Sequence, residues 1–159
     1  MSPTAVLPGT PISEVKNHLS QVVDEAVHKH RPQLIERHGE SEAMLIGIDE
    51  ARELLRSFVF EPRVVFGDGE VVLSLDRHGL VVSASSMNAA ADALVNELRE
   101  HSQDYLARYE FFRHTPRSQE LPWLLRFALT PEDEQRELLF EEPTGTHHGP
   151  MVEAAASKR

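Results

Sequence analysis

Pro11-Ile12-Ser13-Glu14-Val15-Lys16-Asn17-His18-Leu19-Ser20, continued by Val22-Val23-Asp24-Glu25, decides how the first third of the chain folds. From Ile12 the apolar residues fall at Ile12, Val15, Leu19, Val22, Val23, Ala26 and Val27, and these steps of three, four and seven mark one face of an amphipathic helix. Ser13 reads as the N-cap, and Glu14 suits the positive end of the helix. Pro32 closes the pattern, with His28, Lys29, His30 and Arg31 crowding a last turn where cations are favoured. The fold class expected from what surrounds this helix is α+β.

Downstream, Leu34-Ile35-Glu36 and Ala43-Met44-Leu45-Ile46 flank Arg37-His38-Gly39-Glu40, the pattern of a β-hairpin around a glycine turn. Asp49 is placed to cap a second helix through Glu50, Ala51, Leu54 and Leu55, and a short strand at 5–7 completes a helix-hairpin-helix module over 1–57. A second region spans 62–142. Val64-Val65-Phe66, a Gly67-Asp68-Gly69 turn, residues 70–75, an Arg77-His78-Gly79 turn and Leu80-Val81-Val82 read as a small antiparallel meander. Ser85 or Ser86 then caps a long helix through Ala90, Leu94, Leu98 and on to Tyr105. Residues 121–127 and 131–140 read as two short helices, the second with Thr130 as cap and Pro131 in its first turn. Residues 143–159 are small, polar and aperiodic, the composition of a disordered tail. Arg-His-Gly recurs at 37–39 and 77–79; a duplication or plain turn chemistry accounts for it, since glycine supplies the positive φ such turns need.

Composition bounds the function. The chain has 159 residues, no cysteine and a net charge of −10. The lack of cysteine excludes a disulfide framework and a thiolate zinc site, and the acidity argues against broad non-specific nucleic-acid binding without excluding a local basic face. There is no apolar run long enough to span a bilayer and no signal-peptide pattern, so a cytoplasmic location is expected. Residues 1–56 hold 6 Lys/Arg against 9 Asp/Glu, and residues 57–159 hold 10 against 17, so the acidity concentrates in the second part. No P-loop, G-x-G-x-x-G, G-x-S-x-G or H-E-x-x-H motif occurs. His147-His148 is the one adjacent histidine pair, and a solvated tail offers a metal no preorganised geometry. We therefore expect no enzyme activity, cofactor or metal site.

The opening Ile12-Ser13-Glu14, the Leu19-Ser20 of the first helix, the Arg37-His38-Gly39 turn and the apolar Ala43-Met44-Leu45-Ile46 strand together resemble the Phd/YefM family of antitoxins over about residues 10–56. The resemblance implies a homodimer, or a higher oligomer, whose paired first helices and adjoining turn face operator DNA. The matching positions are Ser13, Lys16, Asn17, Arg31, Arg37 and His38. Ser13 and the helix N-terminus suit a phosphate, Lys16 and Arg31 neutralise phosphates, and Asn17 or Arg37 reach base edges. Glu14, Glu36 and Glu40 weaken those electrostatics. The chain then departs from the family by continuing for about 100 residues, of which 70–109 faintly resemble the β-β-β-α domain of HicB-type antitoxins.

The resemblance implies an antitoxin of a type II toxin-antitoxin system that represses its own operon and neutralises a cognate toxin, an RNase or a Fic-type enzyme. A stand-alone DNA-binding regulator with a sensing or oligomerisation domain is the alternative, and an enzyme or adaptor that borrowed the N-terminal fold is a third. Seven aromatics fall in 105–140, and they serve either as the core of a small domain or as anchors for a partner. The anchor reading assigns partner binding to Tyr105, Tyr109, Phe112, Trp123, Leu124 and Phe127.

Overall fold

A computed structural model describes residues 7–143, and over these the fold is α+β. The order is β1 (Gly9–Pro11), α1 (Ile12–Asn17), α2 (Leu19–Val27), β2 (Gln33–Arg37), β3 (Glu40–Leu45), α3 (Ile48–Leu55), β4 (Arg63–Gly67), β5 (Glu70–Leu75), β6 (Leu80–Ala84), α4 (Met87–Ala107), α5 (Tyr109–Phe112), α6 (Leu121–Ala128) and α7 (Gln135–Leu139). Short 3₁₀ turns at Asp76–His78 and Pro116–Glu120 link β5 to β6 and α5 to α6. The expected tail lies almost wholly outside the described residues, as does His147-His148. The expected strand at 5–7 lies largely outside the described residues, and the first described strand is Gly9–Pro11.

The described residues divide into two compact units, 7–58 with 99–131 and 59–98 with 132–143. The chain crosses from the second to the first inside α4. This partition differs from a simple N-terminal and C-terminal split, because residues 99–131 return to the first unit.

In the first unit β1 lies parallel to β2, pairing Thr10 with Ile35 and Pro11 with Glu36, and β2 runs antiparallel to β3. The expected first helix is two helices. At His18 (φ −128°, ψ 36°) the backbone leaves helical geometry, and α2 restarts at Leu19. The run Asn17-His18 is poor in helix formers, so the break costs little there. Two expected caps are corrected. Pro11, not Ser13, precedes α1, because β1 pairs through Pro11 and the chain turns helical at once, leaving Ser13 inside the first turn. Gly47, not Asp49, precedes α3, and the Ala51 N–H bonds to the Gly47 carbonyl at 3.0 Å. A side chain on Gly47 would collide with the Glu50 carboxylate that folds back over it.

Residues 99–131 bring this unit most of its interior. Tyr105 and Phe112 stack at 4.9 Å, Leu124 and Phe127 are buried, and Phe58 meets Trp123 edge-on at 4.9 Å. Two arginines tie the segments together: Arg52 donates to the Leu129 carbonyl (3.1 and 2.8 Å), and Arg126 donates to that of Phe58 (3.1 Å). Thr130 finishes α6 by donating to the Arg126 carbonyl at 2.8 Å. It does not cap the last helix, which begins only at Gln135 after Glu134.

The second unit is a β4-β5-β6 meander with the first part of α4 and with α7. Its strands follow the expected pattern. β5 alternates, with Val71, Leu73 and Leu75 buried, and these share a core with Phe60, Ala90, Ala91, Leu94, Val95, Leu98 and Leu139. Ser86 caps α4, its Oγ accepting from the Ala89 N–H at 3.2 Å. Arg136 of α7 donates to Asp92 (2.9 Å) and Asn88 (2.7 Å) of α4.

Candidate functional site

The parallel β1–β2 pairing governs the surface expected to meet DNA. Because Pro11 pairs with Glu36, the first turn of α1 begins level with Arg37. Ser13, Lys16 and Asn17 are exposed on α1, and Arg37 and His38 are exposed at the neighbouring hairpin turn. That turn has two residues at positive φ, His38 (52°) and Gly39 (80°), the primed geometry that matches strand twist. It holds the imidazole of His38 outward. Arg31 lies beyond the other end of β2, about 20 Å from Arg37 at ~3.3 Å per residue, so it is not part of the same cluster.

The electrostatics of the cluster are mixed. Arg37 pairs with Glu42 at 3.4 Å, half exposed on both sides. Arg31 is held by Glu25, at 3.5 Å through its side chain and 3.0 Å through its backbone N–H. Lys16 makes no ion pair among the described residues. Six residues give α1 little dipole to hold an anion, so any phosphate contact rests on Lys16, Asn17 and His38.

Beside this cluster runs a surface the sequence pattern did not separate from the core. On α2, Val22 and Ala26 turn inward and are buried, while Leu19 (56% exposed), Val23 and Val27 form a second stripe at steps of four facing solvent. Met44 on β3 and Ile48 on α3 are also about half exposed. Residues 7–58 bury only three apolar side chains well, those of Val15, Val22 and Ala26. The signal available in the sequence was width: apolar positions 19, 22, 23, 26 and 27 cover more of the helix than one sheet contact requires.

At the junction of α2 and α3, His30 (φ 53°) bonds the Glu50 carboxylate. The Glu50 carboxyl is held below the usual carboxylate range, first by its own backbone N–H and then by His30. Lys29 likewise lowers the Glu25 carboxyl by bonding it.

The residues expected to anchor a partner are placed otherwise. Tyr105, Phe112, Leu124 and Phe127 are buried inside the first unit, and Tyr109 and Trp123 are half-buried against Tyr105 and Phe58. They are core, because 99–131 packs back on 7–58 and that long-range contact leaves no local trace in sequence. Beneath them lies a polar network. The buried Glu120 takes Arg117 Nε at 2.6 Å and His101 Nε2 at 2.9 Å, and the Tyr105 hydroxyl donates to the Arg117 carbonyl at 2.6 Å. Burial raises the Tyr105 hydroxyl, and Glu120 raises the Arg117 guanidinium. Among the described residues no helix is long and apolar enough to cross a membrane.

The family model for the antitoxin of toxin-antitoxin, RelE / RelB, TA system, named PHD-like, matches residues 7–141. The chain belongs to this family and is an antitoxin of a toxin-antitoxin system. Its partner is therefore a toxin. A crystal structure from Syntrophomonas wolfei subsp. wolfei, assigned as the antitoxin part of a toxin/antitoxin system, is similar in fold. The TM-score is 0.74 at 23% identity, over 83% of this chain and 96% of that one. No curated protein sequence matches.

Proposed function

We propose that this antitoxin represses its own operon as a homodimer and works by binding rather than catalysis. The observation that carries the reading is the uncovered stripe of Leu19, Val23 and Val27, with Met44 and Ile48, which stays exposed even though residues 99–131 supply the interior of the first unit. An exposed apolar stripe bordered by polar residues marks a protein–protein contact, and a second copy of α2 supplies a matching stripe to cover it. Pairing two copies through α2 doubles the α1–turn clusters. Ser13, Lys16, Asn17, Arg37 and His38 of each then face a groove half-site, with Arg31 at the margin. The acidic neighbours make this a binder of modest intrinsic affinity that needs both copies. The family description favours a RelE-type toxin, an RNase by the resemblance drawn above, over a Fic-type enzyme. The protein acts in the cytoplasm, where its operator and its toxin are found.

Co-expression with the product of the adjacent reading frame tests the antitoxin role: growth arrested by that product alone is restored by the full chain. A gel shift on upstream DNA tests the repressor role. The shift is expected, and Lys16→Ala with Arg37→Ala weakens it and flattens its salt dependence. No shift, with rescue intact, would remove the repressor reading and leave the antitoxin.

A further inference from the structure

We propose that β4 is the docking edge for the toxin, which adds an extended, basic segment to the second unit's sheet as a fourth strand. The proposal rests on the antitoxin reading and names the surface and chemistry of its partner contact.

The sheet order leaves β4 and β6 as edges. On β4 four of five residues are exposed, with Val65 at 53% and Phe66 at 72%. The hairpin turn sets which backbone groups are open. Asp68 (φ 35°) and Gly69 (φ 78°) form a two-residue primed turn, whose closing residues, Gly67 and Glu70, are a hydrogen-bonded pair. Antiparallel bonding alternates along the strand, so Val65 and Arg63 also bond to β5. The N–H and C=O groups of Val64 and Phe66 therefore point to the open side, at the two-residue spacing an added strand requires.

Charge selects the occupant. The second unit carries 3 Lys/Arg against 12 Asp/Glu in residues 59–98 and 132–143, whereas the first carries 11 against 13 in residues 7–58 and 99–131. Glu61, Asp68 and Glu70 bracket β4 and make no ion pair among the described residues, while Arg63 is engaged by Asp76. A second copy paired across Val65 would set Glu61 against Asp68 and Glu70 of its mate, bringing like charges together. A basic strand meets all three favourably. β6 has no carboxylate within three residues of either end, so it lacks this bias.

The test uses the full chain and the toxin from the adjacent reading frame, with affinity measured by calorimetry and amide exchange by NMR. Phe66→Lys sits at an exposed position and should weaken toxin binding about tenfold or more, because an edge lysine opposes strand addition. Glu61→Lys with Glu70→Lys, which touches no core residue, should weaken it and flatten its salt dependence. Val81→Lys on β6 should leave affinity unchanged, and the Val64 and Phe66 amides should become protected in the complex. If Glu61→Lys with Glu70→Lys binds as the wild type does, and protection falls elsewhere, the carboxylates only guard the edge against unwanted pairing. The β4 proposal is then overturned while the antitoxin stands. If the wild-type chain does not bind the toxin, both fall together.

Discussion

The β2–β3 hairpin turns through His38 and Gly39 and the β4–β5 hairpin through Asp68 and Gly69, all four at positive φ. Yet β3 is exposed at five of its six residues, whereas β5 buries Val71, Leu73 and Leu75 in alternation. The turn chemistry is shared and the outcome differs because of what each chain segment supplies next. After β6 comes a 21-residue helix whose Ala90, Leu94 and Leu98 complete a core within the same unit. After β3 comes an eight-residue helix with no buried residue, and the apolar stripe of α2 stays in solvent. Local geometry therefore decides where the chain turns, and the supply of apolar surface decides how much of a hairpin is buried within its own unit.

The largest expected effect probes the finished hairpin. Leu94→Ala empties a fully buried position and should cost about 3 kcal/mol, read from urea unfolding. A loss under 1 kcal/mol would mean that the second core is loosely packed and the contrast overstated. A smaller effect tests what the hairpins share. Gly39→Ala and Gly69→Ala meet no atom within 4 Å, so only the left-handed backbone resists them. Each should cost about 1–2 kcal/mol, and markedly unequal losses would show that the two turns are not equivalent. Tyr105→Phe removes one bond to the Arg117 carbonyl and should cost about 1 kcal/mol, a test of the packing within residues 99–131.

The smallest effect is on pH dependence. The Glu50 carboxyl is lowered in the folded protein, so its contribution is present above the unfolded carboxylate range and is lost as pH falls through the lowered value. Glu50→Gln should leave a smaller drop in urea midpoint between neutral pH and about pH 4. The drop that remains belongs in part to Glu25, which is lowered by Lys29. An identical drop in the variant would exclude the His30–Glu50 contact from the stability of the α2–α3 junction.

Where local chemistry decides, the sequence was legible. Gly39, Gly69 and Gly79 marked their turns, Ser86 marked the start of α4, and the alternation of β5 marked its buried face. Ser13, Asp49 and Thr130 were plausible caps that lost to Pro11, Gly47 and Glu134, because pairing and packing set where those helices begin. The break at His18 falls at Asn17-His18, a run poor in helix formers inside an otherwise continuous apolar pattern. The aromatic run of 105–127 could be read as core or as partner anchors, because the contacts that decide it, Trp123 with Phe58 and Arg126 with the Phe58 carbonyl, span more than 60 residues. Lys16, Asn17, Arg37 and His38 are exposed, as their polar character suggests. That Arg31 stands apart from them needed the strand between.

The proposed repressor rests on two copies pairing through the exposed stripe of α2. Its most direct test is the solution mass by light scattering at about ten micromolar, near the range where a stable homodimer persists. The wild-type chain should run at twice its chain mass, and Leu19→Glu with Val23→Glu should fall to one chain while keeping its circular dichroism spectrum. A wild-type chain that is monomeric there, or a variant that still pairs, would contradict the account.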